Sequence, residues 1–329
     1  MHTKVLSIRL CSDDDGIIMM ESSALMQTNQ NVTGVKWMAG IADFHCTYDH
    51  ASGFGDWIRE YEDIRFPEAY LEAEAMVNFA KVVKLHNRTA MCQLPFCHTL
   101  EAEALGGNIR LGDGITGPRT GAYRCGSLEE VLELPPLDPE TEGAKRIQET
   151  LKACKRLKED GESVIFLISG PITILNGLVD ADVLFRALLK KPELMERIFE
   201  KLGNDILTMM KAAEAAGADL LSYGDPAGGV NLVGPKVAAR VAKTFTAPFF
   251  SRADQELKKE TTVLFCPKTA FALIGTEMAE WKDHVLPAPM EYLPAVLYKK
   301  KQIRFAGQDC INRTGHRLEN GILKELILK

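Results

Sequence analysis

From about residue 66 onward, short continuous apolar runs alternate with longer stretches whose apolar residues fall three and four apart. "PEAYLEAEAMVNFAKVVKL" (67–85) has that helical spacing among strong helix formers, and Pro67 suits a first turn. "TAMCQLPF" (89–96) follows as a short apolar run, the profile of a buried strand. "SLEEVLEL" opens on a capping-box pattern, Ser127 with Glu130 three residues on. A charged amphipathic helix is predicted over 140–159, a second buried strand over "SVIFLISGP" (163–171), and a long helix over 192–216 that Gly217 ends. "ADLLSYGDP", "PKVAARVAKTF", "TTVLFCP", "MEYLPAVLYKK" and "IRFAGQDC" continue the alternation of strand and helix.

Apolar strands alternating with amphipathic helices imply parallel pairing, with the helices shielding the sheet. No GxGxxG opens a helix after the first strand, so a dinucleotide-binding sheet has no support. The predicted fold is therefore an α/β barrel of the (β/α)8 TIM type, occupying residues 61–329 as the catalytic domain. The first sixty residues have no clean period. "DFHCTYDHASGFGDW" (43–57) mixes glycines, aromatics and polar residues, which predicts a loop-rich N-terminal segment (1–60) capping the barrel.

The chain has 329 residues, of which 46% are hydrophobic and 26% charged, a balance that can bury a large core. Its formal net charge of −6 gives no support for a nucleic-acid partner. The N-terminal apolar run is too short for a signal peptide and is followed at once by an acidic cluster. The longest apolar stretch (164–179) is broken by Gly170, Pro171 and Asn176 and is too short to span a bilayer. Eight cysteines without a close-spaced pair fit a reducing compartment, and the expected location is the cytoplasm, with no membrane partner.

In a barrel of this type chemistry gathers where strands end. Three predicted strand ends carry candidate metal donors, "YGDP" with Asp225, "LFCP" with Cys266 and "GQDC" with Cys310, spaced about one βα unit apart. Thiolates with a carboxylate suit zinc, and a catalytic zinc keeps one position open. His98 and Glu101 in "PFCHTLE" stand at another strand end and are candidate catalytic residues, each also a candidate third donor. Glu101 and Glu103 read most simply as the acidic first turn of the next helix, and His98 as a hydrogen-bonded histidine at a loop start. "HCTYDH" offers His45, Cys46, Asp49 and His50, and reads as a polar loop before it reads as a ligand cluster. Cys11, Cys92, Cys125 and Cys154 read as core or surface thiols. A cavity is expected between "PFCHTLE" and "YGDPAGG", which both leave apolar strands.

"LPFCHTLEAEALGG" (94–107), "LISGPITIL" (167–175), "AGADLLSYGDPAGG" (216–229) and "RFAGQD" (304–309) occur in the order expected of one family. From about Phe66 to Gly307 the chain resembles the uroporphyrinogen decarboxylase superfamily, and within it the corrinoid-dependent methyltransferases. That resemblance implies a TIM barrel, a zinc ion, and a partner protein carrying a corrinoid. The family's zinc motif is His-x-Cys at a strand end. Cys266 matches its cysteine, whereas Leu264 stands where the histidine would be. Relatives that demethylate methoxylated aromatics use other donor mixtures, which an Asp225–Cys266–Cys310 set would resemble. The expected reaction is therefore zinc-dependent transfer of a methyl group from a small methylated donor to the cobalt of a corrinoid protein. Three alternatives stand beside it: transfer from a methylcorrinoid to a thiol, a decarboxylase, and a non-catalytic family member. The decarboxylase's arginine-rich N-terminal segment has no counterpart among the first sixty residues, which hold only Arg9 and Arg59.

Overall fold

The computed structural model describes residues 53–329 of the chain. The predicted runs become strands β1 (Cys92–Leu94), β2 (Val164–Ser169), β3 (Leu220–Gly224), β4 (Thr262–Phe265) and β6 (Phe305–Ala306), paired parallel in that order. Strands β5 (Ala279–Val285) and β7 (Ile322–Leu328) lengthen the same sheet, and only β7 runs in the opposite sense. β7 pairs antiparallel with both β6 and β5, so the described sheet has seven strands in the order β1-β2-β3-β4-β6-β7-β5. The repeating β/α unit expected of the TIM type thus holds from β1 to β4 and on to β6. Past β6 an antiparallel ladder replaces it.

Helices α1 (Ala73–Asn87), α2 (Leu100–Ala104), α3 (Lys145–Glu159), α4 (Pro171–Asn176), α5 (Ala181–Lys190), α6 (Pro192–Ala215), α7 (Val230–Val241), α8 (Ala247–Glu256), α9 (Pro267–Gly275) and α10 (Tyr292–Lys299) fill the connections. The helix predicted from Pro67 is interrupted at Glu72, whose extended φ/ψ of −115°/131° separates a short turn, Glu68–Leu71, from α1. At Ser127 half of the predicted capping box forms. The Ser127 hydroxyl accepts from the Glu130 N–H, while the Glu130 carboxylate accepts from Gly126 N–H instead of Ser127 N–H. No described helix is long and apolar enough to cross a membrane.

Strands β2, β3, β4 and β6 are largely apolar because both of their faces are covered. Val164, Phe166 and Ile168 of β2, Leu221 and Tyr223 of β3, Val263 and Phe265 of β4 and Phe305 of β6 pack into the large core beneath the helices. The intervening residues Ile165, Leu220, Leu264 and Ala306 form a second cluster with Leu323 of β7, and Tyr292, Ala295 and Val296 of α10 fill it. Alternation with a period of two therefore sorts each strand between a helix-facing register and an inner register. Each large apolar side chain fully buried this way contributes about 1.5–3 kcal/mol.

Of the predicted N-terminal segment, only residues 53–60 are described. Phe54 and Ile58 pack there with Phe79 and Val83 of α1, and Trp57 stacks on His86 with ring centroids 3.7 Å apart. The cluster His45, Cys46, Asp49 and His50 lies outside the described residues, as does Cys11.

Candidate functional site

The ends of β1, β2 and β3 carry a connected polar group. Ser169 is the last residue of β2 and is buried. Its backbone N–H donates to Glu101 Oε1 at 2.8 Å, its hydroxyl donates to Glu101 Oε2 at 2.7 Å, and its Oγ lies 3.4 Å from His98 Nδ1. Glu101 sits in the first turn of α2, where a carboxylate complements the helix dipole, and only 2% of its surface is exposed. Burial raises its carboxyl above the usual carboxylate range, and the two bonds from Ser169 act against that rise. His98 is half-buried beside Gly224, the last residue of β3. A Cβ on Gly224 would stand 3.2 Å from His98 Cε1 and 3.5 Å from Nε2, so glycine leaves room for the ring.

Arg146 of α3 holds the segment that presents these groups. Its side chain is 5% exposed, pairs with Glu103, and donates to Thr99 Oγ1 at 2.8 Å. It lies on the buried stripe of α3 with Thr150, Ala153 and Leu157, although the helix is otherwise strongly charged. A charge on an apolar stripe was the signal in the sequence for this residue. Ser169 carried a weaker one, a hydroxyl at the last position of an apolar run.

Asp225 belongs to a separate network. Its Oδ1 accepts from Thr173 N–H and from Thr173 Oγ1, both at 2.7 Å, and its Oδ2 accepts from Ile172 N–H at 3.3 Å. Its carboxylate therefore caps the start of α4. Burial raises it, and the Thr173 and Ile172 bonds oppose that shift. Tyr223 is pushed well above the ordinary phenol range by burial, with Asp225 and Cys266 adding to the rise. Tyr223, Asp225, Gly228 and Gly229 line a cleft with Lys268, Thr269 and part of α7, a space of about 410 Å³ counting its open mouth. "YGDPAGG" borders this cleft, whereas no residue of "PFCHTLE" does. The two segments touch at His98 and Gly224, and the cleft opens on the other side of "YGDPAGG".

Cys266 follows β4 directly, is half-buried, and bonds through its N–H to Tyr223 O at 2.8 Å. Cys310 is half-buried in the loop after β6 and borders a different cleft, with Arg88, Thr89 and Ala90 ahead of β1 and with Tyr292 and Arg313. Neither Cys266 nor Asp225 lines that cleft. Among the described residues no three His, Cys, Asp or Glu side chains are arranged to hold a metal ion. The zinc set expected from Asp225, Cys266 and Cys310 is therefore not brought together, and the described residues do not fit the ion. The reason lies in strand alternation: Asp225 follows the helix-facing register of Tyr223, whereas Cys266 follows the inner register of Leu264.

A family model described as Uroporphyrinogen decarboxylase (URO-D) matches residues 56–286. The methylcobamide:CoM methyltransferase MtaA of Methanosarcina barkeri (strain Fusaro / DSM 804) is 25% identical over 174 residues, covering 52% of this chain and 50% of that protein. The methylcobamide:CoM methyltransferase MtbA of Methanosarcina mazei is 26% identical over 211 residues, covering 63% of this chain and 61% of that protein. The chain thus spans about half the length of the first of these relatives and about three fifths of the second. Among solved structures, a methyltransferase from Methanosarcina mazei superposes with a TM-score of 0.55 at 20% identity, covering 67% of each chain. That likeness bears on the fold, and it agrees with the TIM type expected from the sequence.

Proposed function

We infer that this chain, which belongs to the uroporphyrinogen decarboxylase (URO-D) family, is an enzyme that moves a methyl group between a small molecule and the corrinoid of a partner protein. The observation that carries the reading is the His98–Ser169–Glu101 group at the strand ends, in a chain similar to two methylcobamide:CoM methyltransferases. We favour the direction from a methylated oxygen, such as a methoxylated aromatic, to cobalt. The methyl carbon leaves its oxygen with the C–O electron pair remaining on oxygen, and the corrinoid supplies the electron pair of the new bond to carbon. The departing oxygen needs a proton. His98 supplies it from Nε2 as a general acid, worth typically 10²–10⁴-fold in such reactions. Glu101, behind Ser169, stabilises the imidazolium before transfer when its carboxyl is ionised. In the opposite direction, with a thiol as acceptor, the same nitrogen would take the thiol proton. Zinc, expected from the sequence, enters no step here because the described donors do not converge.

The test uses the full purified chain with reduced cobalamin and a panel of methoxylated aromatics, following the corrinoid's visible spectrum. Methylcobalamin with coenzyme M tests the reverse direction. Spectral conversion that requires the chain and falls at least about 100-fold in His98→Ala is the expected result. A folded chain that converts neither pair refutes the reading. Release of carbon dioxide from a pyrrolic acid would instead favour the decarboxylase of the same family.

A further inference from the structure

We propose that Ser169 is a positioning residue that reads the protonation of Glu101 and sets the tautomer of His98, placing the nitrogen-bound proton on Nδ1 and the lone pair on Nε2. The proposal rests on the reading above that His98 exchanges a proton with substrate, and it names the atom through which the exchange occurs.

The inference follows from counting protons. Glu101 Oε1 is occupied by the Ser169 backbone N–H at 2.8 Å, and Oε2 faces the Ser169 hydroxyl at 2.7 Å. While Glu101 is ionised it only accepts, so the single hydroxyl proton of Ser169 must point at Oε2. The Ser169 oxygen can then only accept from the ring nitrogen 3.4 Å away, which requires His98 Nδ1 to carry its hydrogen. In the neutral ring Nε2 is then the acceptor, on the ring edge that lies against Gly224. The parts cannot drift apart easily. Gly170 N–H donates to Gly224 O at 2.8 Å and ties the ends of β2 and β3, while Arg146 fixes Thr99 and Glu103 on either side of Glu101. When Nε2 takes a proton, the ring becomes a cation whose Nδ1–H already points along the chain towards Glu101. When it gives the proton up, the starting tautomer returns with no side chain moving.

A glutamine in place of Glu101 gives the decisive test. The Ser169 backbone N–H must still be accepted, so the amide oxygen takes the Oε1 position and the NH2 faces the Ser169 hydroxyl. Ser169 then accepts from the amide and turns its own proton to His98 Nδ1, which inverts the tautomer. Long-range ¹⁵N–¹H spectra of the histidine-labelled full chain read this directly, with the His98 signals assigned from their absence in His98→Gln. The parent should show Nδ1–H in about fivefold excess, as a net neutral hydrogen bond of about 1 kcal/mol provides. Glu101→Gln should show Nε2–H in excess. Ser169→Ala should lose the preference, and Ser169→Thr should restore it. A parent in the Nε2–H form overturns the proposal, as does one tautomer shared by parent and Glu101→Gln. Should Glu101→Gln fail to fold, an unchanged tautomer in Ser169→Ala overturns it equally. The readout needs no turnover. Predicted tautomers without methyl transfer would refute the proposed reaction and leave the relay standing.

Discussion

Gly170→Ala isolates how tightly the ends of β2 and β3 are built. Gly170 has φ −80° and ψ 166°, an ordinary extended conformation, so alanine meets no backbone objection there. The obstacle is space. A Cβ on Gly170 would stand 2.4 Å from Asp225 Cβ, 2.5 Å from Asp225 Cγ and 2.7 Å from the Tyr223 hydroxyl. Neither neighbour can retreat cheaply. Tyr223 is 1% exposed and packs edge-on against Phe250 at 4.8 Å, and Asp225 is held by Thr173 and Ile172. Inserting a methyl into such a site costs about 1–3 kcal/mol. Displacing Asp225 gives up at least one hydrogen bond to a carboxylate, about 1.5–3 kcal/mol more. The net expectation is about 3 kcal/mol, a fall of roughly 1 M in the urea midpoint if the slope is about 3 kcal/mol/M. Equilibrium urea unfolding followed by circular dichroism measures it. The same substitution in an Asp225→Gly background should cost only about 1 kcal/mol, because only the Tyr223 contact remains, giving a coupling of about 2 kcal/mol. An unchanged midpoint in Gly170→Ala, or an equal penalty in both backgrounds, would refute the reasoning.

Arg146→Met should cost about 2–3 kcal/mol in the same assay, since it removes the Thr99 bond and leaves Glu103 without its cation. It should also raise hydrogen exchange over residues 97–103. Burial pushes the thiols of Cys92 and Cys154 up to about 12, so neither should react with a thiol reagent at pH 8 until the chain unfolds, whereas half-buried Cys266 and Cys310 should react in the native protein. Because the ordinary thiol value is 9.0, these two groups contribute stability that is complete below pH 9 and is lost as pH rises towards 12. Urea midpoints that stay flat from pH 9 to 11 would contradict this. Burial would raise Asp219, but hydrogen bonds from Lys158, Lys300 and Val164 N–H outweigh it and hold the carboxyl below its ordinary 3.8. Its contribution is therefore present above that value and lost as pH falls below it. Asp219→Asn should flatten the acid limb of the stability curve, and an unaltered limb would show that the two lysines do not matter.

The sequence made the parallel part of the fold readable because those strands are covered on both faces and stand out as continuous apolar runs. The helix predicted over 192–216 forms as Pro192–Ala215, and "SVIFLISGP" supplies all of β2. β5 was not readable. "AEWKDHV" has four charged or imidazole side chains in seven residues and is a strand only through its seven-residue pairing with β7, a partner nearly forty residues away. The site divided along a similar line. His98 and Glu101 could be placed because they leave an apolar run, and both reach Ser169. Asp225 and Cys266 also leave apolar runs, yet a run shows where a strand ends without showing which face its last residues take. One residue of offset sends Asp225 to the start of α4 and leaves Cys266 in the inner register.

The same alternation accounts for where the polar group stands. Along the inner register, β2 reads Ile165, Leu167, Ser169; β3 reads Leu220, Ser222, Gly224; β4 reads Leu264 and continues to Cys266. The lower positions are apolar and belong to the cluster that α10 fills, while the upper ones are small and polar. The inner register therefore ends in hydroxyls, a glycine and a thiol above the apolar layer, with the His98 ring beside Gly224. Larger residues at Ser169, Ser222 or Gly224 would press on buried neighbours such as His98, and charged ones would sit on an apolar layer that cannot solvate them. Small polar side chains satisfy both demands, and a cysteine at the end of β4 belongs to the same pattern whether or not its sulfur ever binds a metal.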